Sequence, residues 1–403
     1  MSPPPPRLRS VAIMGAPVGG ETIGLASLRR VETLYSSKEP ELAVRPTTLP
    51  GEPKQERKHH LTKDAQYTWT VTTLKPLPTD FPLEKTSRRV SDSSGSAVAT
   101  RINKCLRMCS IEAKYNDAEG KAKCRTADFV FFCIKLFSDS DNVIVEIQRR
   151  RGNSNDFKRH CCAILDAAEG CFVNPSPSFP DLKHVSNLAC LKGVKIDEDE
   201  TAALDESIST IGDLLAKDGR DANMLGIKKL EFLTNPLYSS QETVRNAARR
   251  VIIPQSNSPI QDAISTFLQF NVLSAYRRGA EEFSHDHEEY MHNISLSVVH
   301  NCVIAIAEEG NLADVLKSKQ QWFLHTLLPV LVHDIGSAKN QPHNACLAAK
   351  CINCLAGCAP FVRESIVGAG AIDALSEACI VGAGSHDSLS EVSDRTVRLL
   401  LCP

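Results

Sequence analysis

Apolar positions in the second half of the chain fall with a helical period. Leu347, Cys351, Cys354, Leu355 and Cys358 recur at i, i+4, i+7, i+8 and i+11, the broad stripe of an amphipathic α-helix. The stretch that follows, SIVGAGAIDAL, sets glycines at a helix-to-helix corner, where positive φ and close approach are needed. Upstream, Leu204, Ile208, Ile211 and Leu215 form a stripe of their own, and Lys217-Asp218-Gly219 supplies its C-terminal stop. Met224, Ile227, Leu230 and Leu233 continue as a second helix ending before Asn235-Pro236, since the residue before proline avoids helical backbone. Two more helices are expected over Val244 to Ile253 and Ile260 to Tyr276, around Pro254 and Pro259.

The pattern then repeats. His292-Asn293-x-x-Leu296 precedes a helix to Ala307, and His343-Asn344-x-x-Leu347 precedes another to Cys358, 51 residues later. Leu296, His300, Val303, Ile304 and Ala307 fall in register with Leu347, Cys351, Cys354, Leu355 and Cys358. Trp322 to Leu331 fits a second helix of the same unit, and Ile372 to Leu375 stands where that helix recurs. A last helix over Val392 to Leu401 closes the array. Each such unit leaves an apolar face that only its neighbour can cover, so stacking is expected.

The first half alternates differently. Tyr67 to Leu74 has the period of a strand, whereas the proline-rich passage Lys75 to Pro82 is barred from a central strand. Ser91 to Ser96 reads as a flexible linker. Val98, Ile102, Cys105, Leu106 and Cys109 form a helical stripe. Phe129 to Phe137 and Val143 to Ile147 are two strands joined by the polar turn Ser138 to Asn142. Asn153 or Ser154 caps a helix with Phe157, Cys161, Ile164, Leu165 and Ala168 inside. The expected organisation is a disordered tail (1–65), a small α+β domain (66–172), a linker (173–198) and an all-α repeat domain (199–403). The tail is assigned on its prolines and weak periodicity.

Composition narrows the class. Of 403 residues, 42% are hydrophobic and 23% charged, the usage of a globular protein. No run reaches the roughly 18 apolar residues of a membrane span. MSPPPP lacks the basic and apolar regions of a signal peptide. The expected location is the cytoplasm, with the nucleus left open. Fifteen cysteines then read as reduced, packed thiols, and the Asn293-Ile294-Ser295 sequon carries no meaning. Up to Phe172 there are 27 Lys and Arg against 20 Asp and Glu, leaving 19 against 28 beyond it. Two modules with different surfaces are expected, and neither is basic enough to suggest nucleic acid as a partner.

The helix ending at Cys358 and the GAIDAL corner resemble the armadillo repeat, whose third helix reads roughly AAxALxxLA before a GAIxAL-like turn. The resemblance implies a helical solenoid that holds a protein partner along its third helices. Lys350 and Asn353 are then the candidate exposed positions. Lys350 and Cys354 stand where nuclear-import members carry Trp and Asn, so import-signal binding is not implied. In the first half, the order strand, helix, strand, strand, helix ending in VEIQRRRGNSNDFKRHCCAIL resembles the kinase-associated C-terminal domain. That resemblance implies binding to anionic phospholipid through Arg149, Arg150, Arg151, Lys158 and Arg159. The plainer reading of these cations is a solvated strand end and helix face.

Chemistry-bearing motifs are few. Cys346, Cys351, Cys354 and Cys358 have the spacing C-x4-C-x2-C-x3-C, whose first two intervals match a plant-type ferredoxin. A metal or iron–sulfur protein is therefore an alternative function, although the flanking residues are helix formers and favour packing. His285, His287 and His292 lack the i, i+4 spacing that aims two imidazoles at one ion. Gly15 to Thr22 lacks the Lys-Ser/Thr pair of a phosphate loop. Neither Gly-x-Ser-x-Gly nor His-Glu-x-x-His occurs, and no catalytic constellation, metal site or cofactor is expected. Arg88-Arg89-Val90-Ser91 resembles a basophilic kinase site, with Ser91 as the phosphorylation candidate.

Overall fold

The computed structural model describes residues 67–78, 80–91, 93–171, 198–253, 259–274 and 282–402. The expected tail over 1–65, the Gly15 to Thr22 stretch within it and the expected linker up to residue 197 lie outside the described residues.

The first part contains β1 (Lys75–Pro76), β2 (Ser87–Val90), α1 (Gly95–Met108), β3 (Glu112–Asn116), β4 (Lys121–Arg125), β5 (Phe131–Asp139), β6 (Asn142–Arg151) and α2 (Ser154–Glu169). Its sheet has the order β2-β6-β5-β4-β3, antiparallel at every pairing. β1 adds parallel to the far end of β5, with Lys75 and Pro76 opposite Phe137 and Ser138. The period of two sends Phe132, Ile134 and Leu136 of β5 and Val143, Val145 and Ile147 of β6 to one face. There they join Val98, Ile102 and Leu106 of α1 and Phe157, Ile164 and Leu165 of α2 in one buried cluster. Ser94 starts α1 by accepting from the Ala97 amide, and Asn153 starts α2 by accepting from the Asn155 amide. Gly152 makes the tight turn between β6 and α2 at φ 100°, where a Cβ would lie 2.7 Å from Val130 Cα.

Several expectations are corrected here. Tyr67 to Leu74 is no strand: Trp69 and Val71 alternate into the core, but the backbone bonds side chains such as Asn103 and Asp117 and joins the strand ladder only from Lys75. The proline-rich passage supplies β1, which is tolerable because only two residues pair and they lie beside β4, off the main path of the sheet. Of the linker expected over Ser91 to Ser96, Gly95 and Ser96 belong to α1, which begins only a few residues after β2 ends at Val90. β3 and β4 are additional. Their sequences, EAKYN and KAKCR, are strand-like on one face only, and the other face carries charge.

The second part is helical among its described residues: α3 (Glu198–Leu215), α4 (Arg220–Thr234), α5 (Gln241–Ile252), α6 (Pro259–Ser274), α7 (Glu282–Glu308), α8 (Leu312–Ser318), α9 (Gln320–Trp322), α10 (Leu328–Gly336), α11 (Pro342–Ala356), α12 (Pro360–Gly368), α13 (Ala371–Ser385) and α14 (Asp387–Leu401). A π-helical turn, Phe323–Leu327, joins α9 to α10 just before Pro329, whose missing N–H loosens the helical ladder. α5 packs on α7, α7 on α11, and α11 on α14, while α10 packs on α13. One apolar cluster runs from Ile211 to Leu400 through these helices. Among the described residues one helix, His287–Glu308, is long and apolar enough to cross a membrane, and 67% of that window is buried inside the protein.

The stripe expected to face the core of α11 is rotated. Ala345, Ala348, Ala349, Ile352 and Ala356 are fully buried with Cys351 and Leu355, whereas Leu347, Cys354 and Cys358 are half-buried. Alanines let neighbouring helices come close, so the small side chains take the contact and the larger ones edge the surface.

Candidate interaction surfaces

α7 and α11 lie side by side, and their outer faces hold the positions singled out from the sequence. On α11, Leu347 and Cys354 edge the core beside Lys350 and Asn353; Lys350 is exposed and Asn353 half-buried. On α7, His300, Ile304 and Ala307 are half-buried on the corresponding side. Burial, with help from the Lys350 ammonium, pushes the His300 pKa down to about 4, so a neutral imidazole sits by a cation. The surface is thus a mixed strip of apolar edges with the Lys350 ammonium on it and the Glu308 carboxylate near Cys354.

The His-Asn doublets that marked the repeat are buried and polar. Asn293 donates to Asn344 across α7 and α11 at 2.7 Å, and Asn344 donates to Gln341. His292 lies 2.8 Å from Asp334 through Nε2 and 3.2 Å from the Phe267 carbonyl through Nδ1. Burial disfavours its charged form. The Asp334 carboxylate and these hydrogen bonds outweigh that and raise its pKa, so both ring nitrogens donate. His292 is therefore a buried ion-pair partner; the side chain of His285 lies outside the description.

His343 serves a different neighbour. Its Nε2 donates to the Arg125 carbonyl at 3.1 Å, and its Nδ1 lies 3.1 Å from His386 Nε2. His386 Nδ1 in turn accepts from the Leu389 amide and caps α14. This chain of donors fixes both imidazoles as neutral Nε2–H tautomers. Burial pushes the His343 pKa down to about 4, and burial with His343 beside it pushes His386 to about 3.

Arg125 ties the two parts together. Its guanidinium pairs with Glu112 on β3 at 2.6 Å and with Glu289 on α7. Burial lowers its pKa, but the two carboxylates more than reverse this. Phe129 meets Tyr290 edge-on at 4.6 Å. At the end of α1, Arg107 reaches Asp387 at 3.2 Å, and Ser110 and Ser388 exchange hydrogen bonds. The sheet part therefore docks across α7, α11 and α14 near their N-terminal ends, and residues 63–403 form one compact unit.

Most cations of the basic run engage neighbours within the fold. Arg149 donates to the Gly152 carbonyl, Arg150 donates to Gln148, Arg151 lies over the Phe131 ring, and Arg159 pairs with Asp156. Lys158 is exposed. A grouping the sequence did not reveal lies on the face of the sheet away from α1 and α2. There Lys121, Lys123, Lys135 and Arg150 surround the buried Cys133 thiol. Only strand pairing brings them together, with Lys121 opposite Lys135 and Lys123 opposite Cys133. Pairing of the intervening strands was the missing signal.

Ser91 follows β2, where Arg88 is bound to Asp166 and Glu169 and Arg89 to Asp139. The cations a basophilic kinase would read are thus engaged within the fold. Cys346, Cys351 and Cys354 lie along α11; burial raises the pKa of all three thiols, that of Cys354 to about 11. Among the described residues no three His, Cys, Asp or Glu side chains gather closely enough to hold a metal ion. No family model matches this sequence, and no curated protein matches it.

Proposed function

We propose that the chain is a non-enzymatic scaffold whose armadillo-like helical array binds a protein partner along the outer faces of α7 and α11. The observation that carries this reading is Lys350: an exposed cation with no carboxylate partner among the described residues, set between half-buried apolar edges. The helix order supports the array. Leu312–Ala356 and Pro360–Leu401 each run short helix, longer helix, longer helix, over the roughly 40–47 residues of an armadillo unit. Like elements also pack on like, α10 on α13 and α11 on α14. A strip of this kind suits an extended or helical segment that offers apolar anchors and a carboxylate. Affinity capture followed by mass spectrometry, comparing the unaltered chain with Lys350→Glu and with Lys229→Glu on α4, tests the site. A set of proteins lost only with Lys350→Glu supports it, and identical recoveries from all three sink it.

A second reading rests on the cations around Cys133. Of these four, Lys121 has Glu119 at 3.9 Å and Lys135 stands opposite Glu146 in the ladder, while among the described residues Lys123 and Arg150 have no carboxylate within ion-pair distance. The sheet part would then bind anionic phospholipid, each cation contributing about 1 kcal/mol near a charged surface. Pelleting with phosphatidylserine vesicles that disappears in Lys123→Glu supports this reading. Pelleting that depends only on Arg149, Arg151, Lys158 and Arg159 would place the contact on the strand end instead.

A further inference from the structure

The end of α1 brings two thiols together where the sheet part meets α14. Cys105 and Cys109 are one helical turn apart, with their sulfurs at 4.0 Å. Cys105 is buried, and Cys109 is only partly buried at the edge of the core. We propose that Cys105 and Cys109 form a modifiable dithiol, which a low-molecular-weight disulfide of the glutathione class oxidises to an intramolecular disulfide.

The geometry assigns the two roles. Cys109 can meet a reagent from solvent, and Cys105 waits behind it. A hydrogen bond from Cys105 favours the Cys109 thiolate, while the same bond and burial disfavour ionisation of Cys105. The Cys109 thiolate, having given its proton to solvent, attacks one sulfur of the reagent. The reagent's S–S bond breaks, and the departing thiolate takes up a proton. Cys105 then loses its proton and attacks the Cys109 sulfur of the mixed disulfide, expelling the second reagent thiol. Two protein thiols are oxidised, and one reagent disulfide is reduced to two thiols.

Closing this bond has a structural consequence. The Cβ atoms of an i, i+4 pair stand about 5–6 Å apart, and a disulfide needs about 3.8 Å. The last turn of α1 must therefore contract, and Cys109 caps that helix through its N–H to the Cys105 carbonyl. Arg107, between the two cysteines, and Ser110, directly after them, hold Asp387 and Ser388. Oxidation pulls on the same turn that carries these contacts.

Trypsin separates the two cysteines at Arg107, so the bond is visible as two joined peptides. The full chain is equilibrated in mixtures of reduced and oxidised glutathione, alkylated and mapped by mass spectrometry. The joined peptides are expected under conditions where the exposed Cys162 carries at most glutathione. Cys105→Ser is expected to leave glutathione on Cys109, and Cys109→Ser to leave Cys105 free for alkylation after unfolding. The proposal is overturned if Cys109 stays free while Cys162 is modified, or if glutathione remains on Cys109 of the unaltered chain. Hydrogen exchange at the Ser388 amide, which donates to Ser110, is expected to quicken several-fold on oxidation. Unchanged exchange there would overturn the link to α14.

Discussion

In the sheet part the interior is mainly apolar: Trp69, Phe132, Ile134, Leu136 and Ile147 fill it with several thiols, and among its described residues Thr126 and Glu146 are the buried polar or charged ones. The helical part buries His292, Asn293, Asp334, His343, Asn344 and His386. The difference follows from how each architecture specifies its arrangement. Strand register is set by turns and by which face is apolar, so an apolar interior itself specifies the pairing. Helices satisfy their backbones internally and can slide on one another, so a few buried polar pairs fix the alignment. Such pairs work only when complete, because a half-satisfied network costs more than an apolar one.

That contrast can be broken by experiment. Asp334→Ala leaves His292 as a buried group without its carboxylate, and unfolding free energy from urea titration is expected to fall by about 3–5 kcal/mol. Acid should come next. His343 and His386 are neutral in the fold, with pKa values of about 4 and about 3. Unfolded, each titrates near pH 6.5, so the unfolded chain binds more protons between these limits. Stability should fall as pH drops from about 6.5 toward 4, by on the order of 2–3 kcal/mol for each group. His386→Asn, which keeps a cap for α14, should flatten that limb in urea titrations at pH 7 and 4.5. His292 has the opposite sign, because its pKa is raised: its contribution is complete below about 6.5 and fades as pH rises through the folded value.

Asn293→Ala strands the Asn344 amide and is expected to cost about 1–3 kcal/mol. Replacing Asn293 and Asn344 together with leucine should recover much of this, and a double-mutant cycle reads the coupling. The smallest effect belongs to the sheet part. Ser94→Ala removes the α1 cap and should cost about 1 kcal/mol, visible as earlier thermal melting. If Asn293→Ala proved no more costly than Ser94→Ala, the contrast between the two interiors would lose its energetic content.

Helices in the second half were legible because their apolar residues recur with a 3.6-residue period. Which residues face inward was less so: Leu347 and Cys354 edge the surface, and Ala348 and Ala349 are buried, because close helix contacts select small side chains over greasy ones. The His-Asn doublet was visible as a repeat, but its chemistry appeared only when Asn293 met Asn344. β3 and β4 escaped notice because alternating lysines conceal a strand whose other face is solvated. Of the two positions expected to be exposed on α11, Lys350 is exposed and Asn353 half-buried. Contacts such as His343 to Arg125, 218 residues apart, leave no trace in local pattern.

The Arg125 corner also bears on how this protein can be divided. One residue gives its guanidinium to Glu289 on α7 and its carbonyl to His343 on α11, from a strand that belongs to the other half. A cut anywhere between α2 and α3 would separate pieces that each inherit half of a buried ionic joint. Fragment-based dissection should therefore yield sticky, poorly behaved halves that are rescued only by co-expression.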